Sequence, residues 1–208
     1  MRSVAASGER SVVDALRAGD EAAFARLVRD LGPSMLRVAR RYVETPAVAE
    51  EVVQEAWIAV LDGIDRFEAR SSLKTWIFTI LTNIAKTRAV RDGRTVPFSS
   101  IGAEAGEGPS VAPDRFLGKD ARFAGHWAAP PERWEGADRL LARETLAVID
   151  REIAKLPPAQ AIVITMRDVE GFDAEDVCNA LDISETNQRV LLHRARSAVR
   201  QALEDYLR

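Results

Sequence analysis

Apolar residues recur at helical spacing through two stretches of this chain, with a break between them. In the first stretch Phe24, Leu27, Val28 and Leu31 follow Asp20, whose short carboxylate suits a helix start. Met35, Leu36, Val38, Ala39 and Tyr42 form a second run. Thr45-Pro46 then opens a third. A capping hydroxyl is followed there by a proline whose missing N–H costs nothing at the first helical position. That helix places Val48, Val52, Ala56 and Val60 on one side, and Gly63 ends it. Leu73, Trp76, Ile77, Ile80, Leu81 and Ile84 predict a fourth helix. No alternation of period two is long enough to predict a strand.

The second stretch begins with Ala142, Leu146, Ile149, Ile153 and Leu156. After Pro157-Pro158 comes a helix with Ile162, Val163, Met166 and Val169, stopped by Gly171. Two short helices close the chain. Most of the glycines and prolines fall between, from residue 95 to 137. The pattern therefore predicts an all-α fold of two small helical domains joined by a long, partly irregular linker. Residues 1–9 are expected to be a flexible N-terminus, 10–94 the first domain, 95–137 the linker and 138–208 the second domain. The linker also carries Phe123, Trp127 and Trp134, more aromatic surface than a bare tether needs, so the 121–134 segment is expected to pack on something.

The C-terminal pair carries the most specific signal. Asp173 suits the N-cap of AEDVCNAL, Asp182-Ile183-Ser184 is a short turn, and Ser184 suits the N-cap of the last helix. Two helices joined in this way predict a helix-turn-helix. Along the second of them Arg189, His193, Arg196 and Arg200 share a face, with Arg194 beside them and no acid between Thr186 and Leu203. Like charges at these spacings weaken a helix unless a polyanion meets them. The helix start, Thr186, Asn187, Gln188 and Arg189, is where such a unit meets base edges; Asn and Gln suit adenine, and Arg suits guanine. A surface helix that is merely basic is the alternative.

Composition narrows the choice. The chain has 208 residues and a formal net charge of -3, so a nucleic-acid surface must come from local clustering of cations. One such cluster ends the fourth helix: Lys86, Arg88, Arg91 and Arg94 against Asp92. Asn83, Thr87 and Trp76 lie on the same helix and Phe67, Arg70, Ser71, Ser72 and Lys74 lead into it, a mixture suited to stacking and tracking an opened strand. The dipole alone would also favour cations at a helix C-terminus. The third helix is opposite in character, with Glu50, Glu51, Gln54 and Glu55 together, either solvated or docked on a basic partner.

Taken together, AEEVVQEAW (49–57), DRFEARSSLKTWIFTILTNIAKTRAVR (65–91), LPPAQAIVITMRDVEGFDAEDV (156–177) and ISETNQRVLLHRAR (183–196) resemble, in order, segments of the extracytoplasmic-function (ECF) class of bacterial sigma factors. The resemblance implies a region 2 bundle that docks on core RNA polymerase through Glu50, Glu51, Gln54 and Glu55 and takes the minus-ten strand with Phe67, Arg70, Ser71, Ser72, Lys74, Trp76, Asn83, Lys86, Thr87 and Arg91. It implies a region 4 helix-turn-helix that meets the minus-thirty-five duplex with Ser184, Thr186, Asn187, Gln188, Arg189, His193, Arg194 and Arg196. It further implies promoter DNA, core RNA polymerase and an anti-sigma factor as partners, a monomer when free or a 1:1 complex with the anti-sigma protein, and a cytoplasmic location. The start of the last helix departs from the family's usual run, so base preference does not carry over.

Two rival readings are weaker. Cys178, His126 and His193 each stand alone, with no metal spacing and no phosphate-binding glycine loop, so the reading implies no enzyme, no metal and no cofactor. Cys178 is expected in the core. A stand-alone helix-turn-helix regulator would need a dimer helix, which the sequence lacks, and has no use for the basic fourth helix. There is no apolar run of membrane-spanning length and no apolar signal segment.

Overall fold

A computed structural model describes residues 2–94, 96, 98 and 139–207, and every regular element among them is helical. The first unit holds α1 (Arg2–Arg17), α2 (Glu21–Ala39), α3 (Pro46–Gly63), a single 3-10 turn (Ile64–Arg66) and α4 (Leu73–Arg91). The second holds α5 (Arg139–Lys155), α6 (Pro158–Ile164), a π-helical turn (Thr165–Val169), α7 (Ala174–Leu181) and α8 (Glu185–Leu207). The aromatic 121–134 stretch lies outside the described residues.

Helix starts follow their capping chemistry. Asp20 Oδ1 accepts from Ala22 and Ala23 N–H at 2.9 and 3.0 Å, Thr45 Oγ1 from Val48 N–H at 3.2 Å, and Ser72 Oγ from Thr75 N–H at 3.0 Å. Residues 2–9, within the N-terminal stretch expected to be flexible, belong to α1. One expectation needs correction. The two runs before Thr45, read as separate helices, are one helix, with Pro33 inside it. Pro33 is exposed, while Met35, Val38 and Ala39 beyond it are fully buried. The burial of that next turn offsets the lost backbone bond.

α3 and α4 pack most extensively, with α2 against both and α1 across α2 and the 3-10 turn. Tyr42, Val52, Val60, Ile77, Phe78 and Leu81 are at most 1% exposed. Gly63 fits this packing: a Cβ there would stand 3.3 Å from the Trp76 ring, a tight contact that the ring would have to ease by a few tenths of an ångström, so glycine lets the end of α3 approach α4 closely. In the second unit α6 and α5 pack on α8 around Ile153, Ile162, Met166, Leu192 and Ala195.

The units are not held only by their linker. α4 also packs along α7. Phe78 and Phe172 meet edge to face at 4.7 Å, and Lys74 Nζ lies 4.2 Å from the Phe172 ring centre while donating to Glu170 O at 2.9 Å. Thr82 Oγ1 donates to Ala180 O at 2.8 Å in a buried position. Arg37 grips Glu170 through Nε at 2.6 Å and Nη2 at 3.3 Å, and Arg41 reaches Thr165 and Asp150.

The Glu170 side chain is 4% exposed. Burial by itself would push its carboxyl up. The hydrogen bonds from Arg37 and Ser34 and the charges of Arg37 and Lys74 outweigh burial and hold it below the usual carboxylate range. A depressed carboxyl contributes fully above its ordinary pKa, and its contribution is lost as pH falls through the depressed value. Glu170→Ala should therefore let the two units separate while each stays helical, because half-exposed Arg37 can rehydrate. Small-angle scattering should show a larger radius of gyration with unchanged far-UV circular dichroism. Acidification of the unsubstituted protein should give the same expansion before the helices melt.

Candidate nucleic-acid and polymerase interfaces

The exposed side of α4 runs along its second half. Asn83, Lys86, Thr87 and Arg91 are all exposed, one to two turns apart. The first half is covered: Lys74 is engaged by the second unit, and Trp76 packs against Phe67 with ring centres 5.2 Å apart. Phe67 itself is buried, so Arg70 is the one candidate contact in the loop that stands exposed, beside exposed Glu68 and Ala69, with Ser71 and Ser72 partly so. Ser72 is occupied as the helix cap, and its hydroxyl also lies 2.7 Å from Thr75 Oγ1.

On α3, Glu50, Glu51, Gln54 and Glu55 are exposed, and one and two turns on stand Ile58 and Leu61, 60% and 45% exposed. The acidic and basic surfaces that the sequence suggests are separate meet at Arg88. Its guanidinium donates to Glu51 at 2.8 Å, stands 3.9 Å from Glu55 and 3.4 Å from Asp92, and its pKa is raised chiefly by the Glu51 hydrogen bond. Glu55, Asn83, Ile84, Thr87, Arg88 and Arg91 line a shared groove between the two helices.

In the helix-turn-helix, Asp182 takes the left-handed conformation at φ 55 and ends α7, a position an aspartate tolerates better than most residues. Ser184 Oγ accepts from Asn187 N–H at 3.2 Å and starts α8. Arg189, His193, Arg196 and Arg200 stand exposed on one face, as their spacing requires, and Arg194 is half-buried. Two of the arginines hold acids already: Arg189 pairs with Glu185 at 2.5 Å, and Arg196 takes Asp168 with two bonds of 2.7 Å. Asn187 and Gln188 are placed otherwise than the sequence suggests. Asn187 is buried and donates to Phe98 O, from the segment after α4. Gln188 is 2% exposed on the stripe 188, 192, 195 and 199 that packs into the second unit. Neither reaches a duplex in this arrangement.

Family comparison settles what these surfaces belong to. The model described as Sigma-70 region 2 matches residues 27–95, and the model described as Sigma-70, region 4 matches residues 146–199. The RNA polymerase sigma-H factor of Pseudomonas aeruginosa is 30% identical, the alignment covering 96% of each chain. The chain belongs to the ECF RNA polymerase sigma factors. The ECF RNA polymerase sigma-E factor of Escherichia coli is 27% identical over the same share of each chain. Two solved structures share the fold of this sigma factor. CnrH in complex with the cytosolic domain of CnrY gives a TM-score of 0.58 at 18% identity, covering 95% of this chain and 97% of that one. RpoE in complex with the anti-sigma factor NepR from Bartonella quintana gives 0.56 at 22%, covering 87% and 96%.

A sigma factor directs RNA polymerase to promoters and is an initiation factor, not an enzyme. Cys178, expected in the core, is only partly buried; burial first, then the nearby Glu185, push its thiol up, away from the reactive thiolate. No group of three metal-ligating side chains exists among the described residues. No described helix is long and apolar enough to cross a membrane.

Sequence reasoning missed residues that hold this sigma factor's surfaces in place, Glu9, Arg17, Arg37, Asp168 and Glu170, and read Arg88 as part of the basic cluster without its acidic partners. Their signals are weak. The spacing of Val12, Val13 and Leu16 could have revealed α1, but no local pattern pairs Arg37 with Glu170 across 133 positions.

Gln188 Nε2 is buried without a hydrogen-bond partner, which costs about 1–3 kcal/mol. Gln188→Leu should therefore raise the melting temperature in calorimetry and leave duplex affinity unchanged. A loss of affinity would make Gln188 a DNA contact that becomes exposed on binding.

Proposed function

We propose that this sigma factor divides its work among three surfaces. The exposed face of α3, with Glu50, Glu51, Gln54 and Glu55 rimming Ile58 and Leu61, docks on core RNA polymerase. A charged rim around apolar side chains gives that partner both orientation and buried area. The 67–72 loop and the exposed half of α4, with Arg70, Asn83, Lys86, Thr87 and Arg91, take the minus-ten strand as it opens, and a base leaving the stack is captured at the loop. The basic face of α8 meets the minus-thirty-five duplex through Arg189, His193, Arg194 and Arg196, with Ser184 and Thr186 at its start. These assignments correspond to a region 2 domain over 10–94, a linker over 95–137 and a region 4 domain over 138–208.

The observation that carries the reading is the pairing of an unbroken basic face on α8 with a second exposed basic patch on α4, in a chain of net charge -3. Cations so concentrated in an acidic protein mark where a polyanion binds.

The packed arrangement adds a condition. Lys74, Phe78 and Thr82 on α4 and Asn187 on α8 are covered by contacts between the units or by Phe98, so these four side chains reach DNA only if those contacts part. The contacts to be broken are a ring pair, a cation over a ring and a few polar bonds, each worth roughly 0.5–2 kcal/mol. Once both domains sit on one polymerase they act at high effective concentration. We infer that the free chain binds DNA poorly and acts in the cytoplasm as a monomer or in a 1:1 complex with an anti-sigma factor. The likeness to RpoE of Bartonella quintana, a sigma factor solved with an anti-sigma factor, supports that reading.

Glu50→Lys combined with Gln54→Lys leaves Arg88 paired with Glu51 and should abolish co-elution with core RNA polymerase while the fold survives. Retained co-elution would remove α3 from the polymerase interface. Arg189→Ala should weaken promoter binding by about 1–3 kcal/mol, with a smaller loss on random duplex. Equal losses in quantitative footprinting would make it a phosphate contact only.

A further inference from the structure

The loop that leads into α4 is held at both stems by α1. At the first stem the Arg17 guanidinium forks over the 3-10 turn. Nε donates to Ile64 O at 3.3 Å, and Nη2 donates to Phe67 O at 2.8 Å and to Asp65 O at 3.4 Å. Carbonyls at the end of a helical turn have no following turn to satisfy them, and the planar fork of arginine suits several at once. At the second stem the Glu9 carboxylate accepts from the backbone N–H of Leu73, the first residue of α4. A helix leaves its first four N–H groups without internal partners. Ser72 takes one at Thr75, and Glu9 takes another. Between Glu9 and Arg17, Val13 and Leu16 are 5% and 6% exposed and seat α1 on the bundle.

The span between the stems does not hold its shape by packing. Glu68, Ala69 and Arg70 are exposed, and Ala69 takes the left-handed conformation at φ 55. For a residue with a Cβ that conformation is costly, and it persists where its surroundings fix the chain on both sides. Phe67, buried against Trp76, and Ser72, locked as a cap, are the two fixed points, and Arg17 and Glu9 are bonded directly beside them.

We infer that α1 is the positioning element for strand capture. Through Arg17 and Glu9 it sets the 67–72 loop in its receiving shape before DNA arrives, so that the fit of the captured base, and hence promoter discrimination, depends on a helix that makes no DNA contact itself. α1 precedes the segment matched to region 2, residues 27–95, and none of the surfaces proposed above includes it. The inference rests on the assignment of the 67–72 loop to the minus-ten strand. A loop ordered beforehand spends less of its binding free energy on becoming ordered, and a misplaced one loses specificity as well as rate.

The test uses full-length protein with core RNA polymerase and a promoter recovered by selection from random duplex with the unsubstituted holoenzyme. Arg17→Gln, Arg17→Lys and Glu9→Ala are compared with the double variant Arg70→Ala, Ser71→Ala, which alters the loop itself. Three quantities are read: amide hydrogen exchange of residues 68–73 in the free protein, core binding, and strand opening on the selected promoter against single-base substitutions in its minus-ten element. Arg17→Gln and Glu9→Ala, which removes the acceptor of the Leu73 N–H, should speed exchange in the loop and leave core binding and thermal melting unchanged. They should also lower the ratio of opening on matched over mismatched promoters by about tenfold, the equivalent of one or two side chains ordered on binding. Arg17→Lys should recover part of that ratio. A general loss of stability would lower opening on every template and leave the ratio intact, which would count against the inference. Unsubstituted behaviour of both Arg17→Gln and Glu9→Ala, alongside a lowered ratio for the loop double variant, would overturn the role of α1 and leave the loop assignment standing. An unchanged ratio for the loop double variant would overturn the loop assignment, and the inference with it.

Discussion

Helix α4 is required to be core on two sides and surface on a third, and the remaining architecture is arranged around that requirement. Leu73, Ile77, Leu81 and Ala85 form its stripe inside the first unit, while Phe78 and Thr82 meet the second. A helix apolar over so much of its circumference is stable only when neighbours enclose it. α3 encloses it on one side, at a closeness that Gly63 permits, and α7 on the other. What remains is a narrow strip ending in Asn83, Lys86, Thr87 and Arg91, so the placement of those cations follows from the packing of the apolar residues between them.

Several of the surface arginines among the described residues are paired with acids. Arg88 bridges to Glu51, Arg189 to Glu185 and Arg196 to Asp168. Exposed pairs of this kind are worth a few tenths of a kcal/mol to about 1 kcal/mol. They order the side chains without committing them, and a phosphate backbone can displace the acids at little cost. The contact between Glu170 and Arg37 differs because the carboxylate is almost wholly buried, so it is sensitive to what surrounds it and serves as a junction between units. The exposed pairs thus suit surfaces that exchange partners, and the buried one suits a hold that opens as a whole.

Much of this was legible along the chain. Asp20, Thr45-Pro46, Ser184 and the apolar spacings announce the helices because capping and amphipathicity act within a turn or two. The basic face of α8 is equally local, and the structure exposes Arg189, His193, Arg196 and Arg200 together as their spacing requires. The sequence misled where a residue's role depends on what lies across from it. The runs ending at Leu31 and starting at Met35 read as separate, yet the burial of Met35, Val38 and Ala39 carries α2 through Pro33 between them. Gln188 reads as a base contact because it is polar at a helix start, yet its position on the 188, 192, 195 and 199 stripe faces it inward.

The sequence by itself therefore determined the helical class, the helix-turn-helix and its one-sign face, and the family to which four ordered segments point. Each is written in neighbours a few residues apart. Only the tertiary structure decided that α4 is shared between the two units, that Arg88 joins the acidic and basic surfaces, and that Glu9 and Arg17 grip the stems of a loop 47 to 64 positions away. Those contacts join side chains to partners, several of them backbone carbonyls, that have no periodic signature. They exist only when the apolar stripes have closed the bundle and brought distant segments within hydrogen-bond reach.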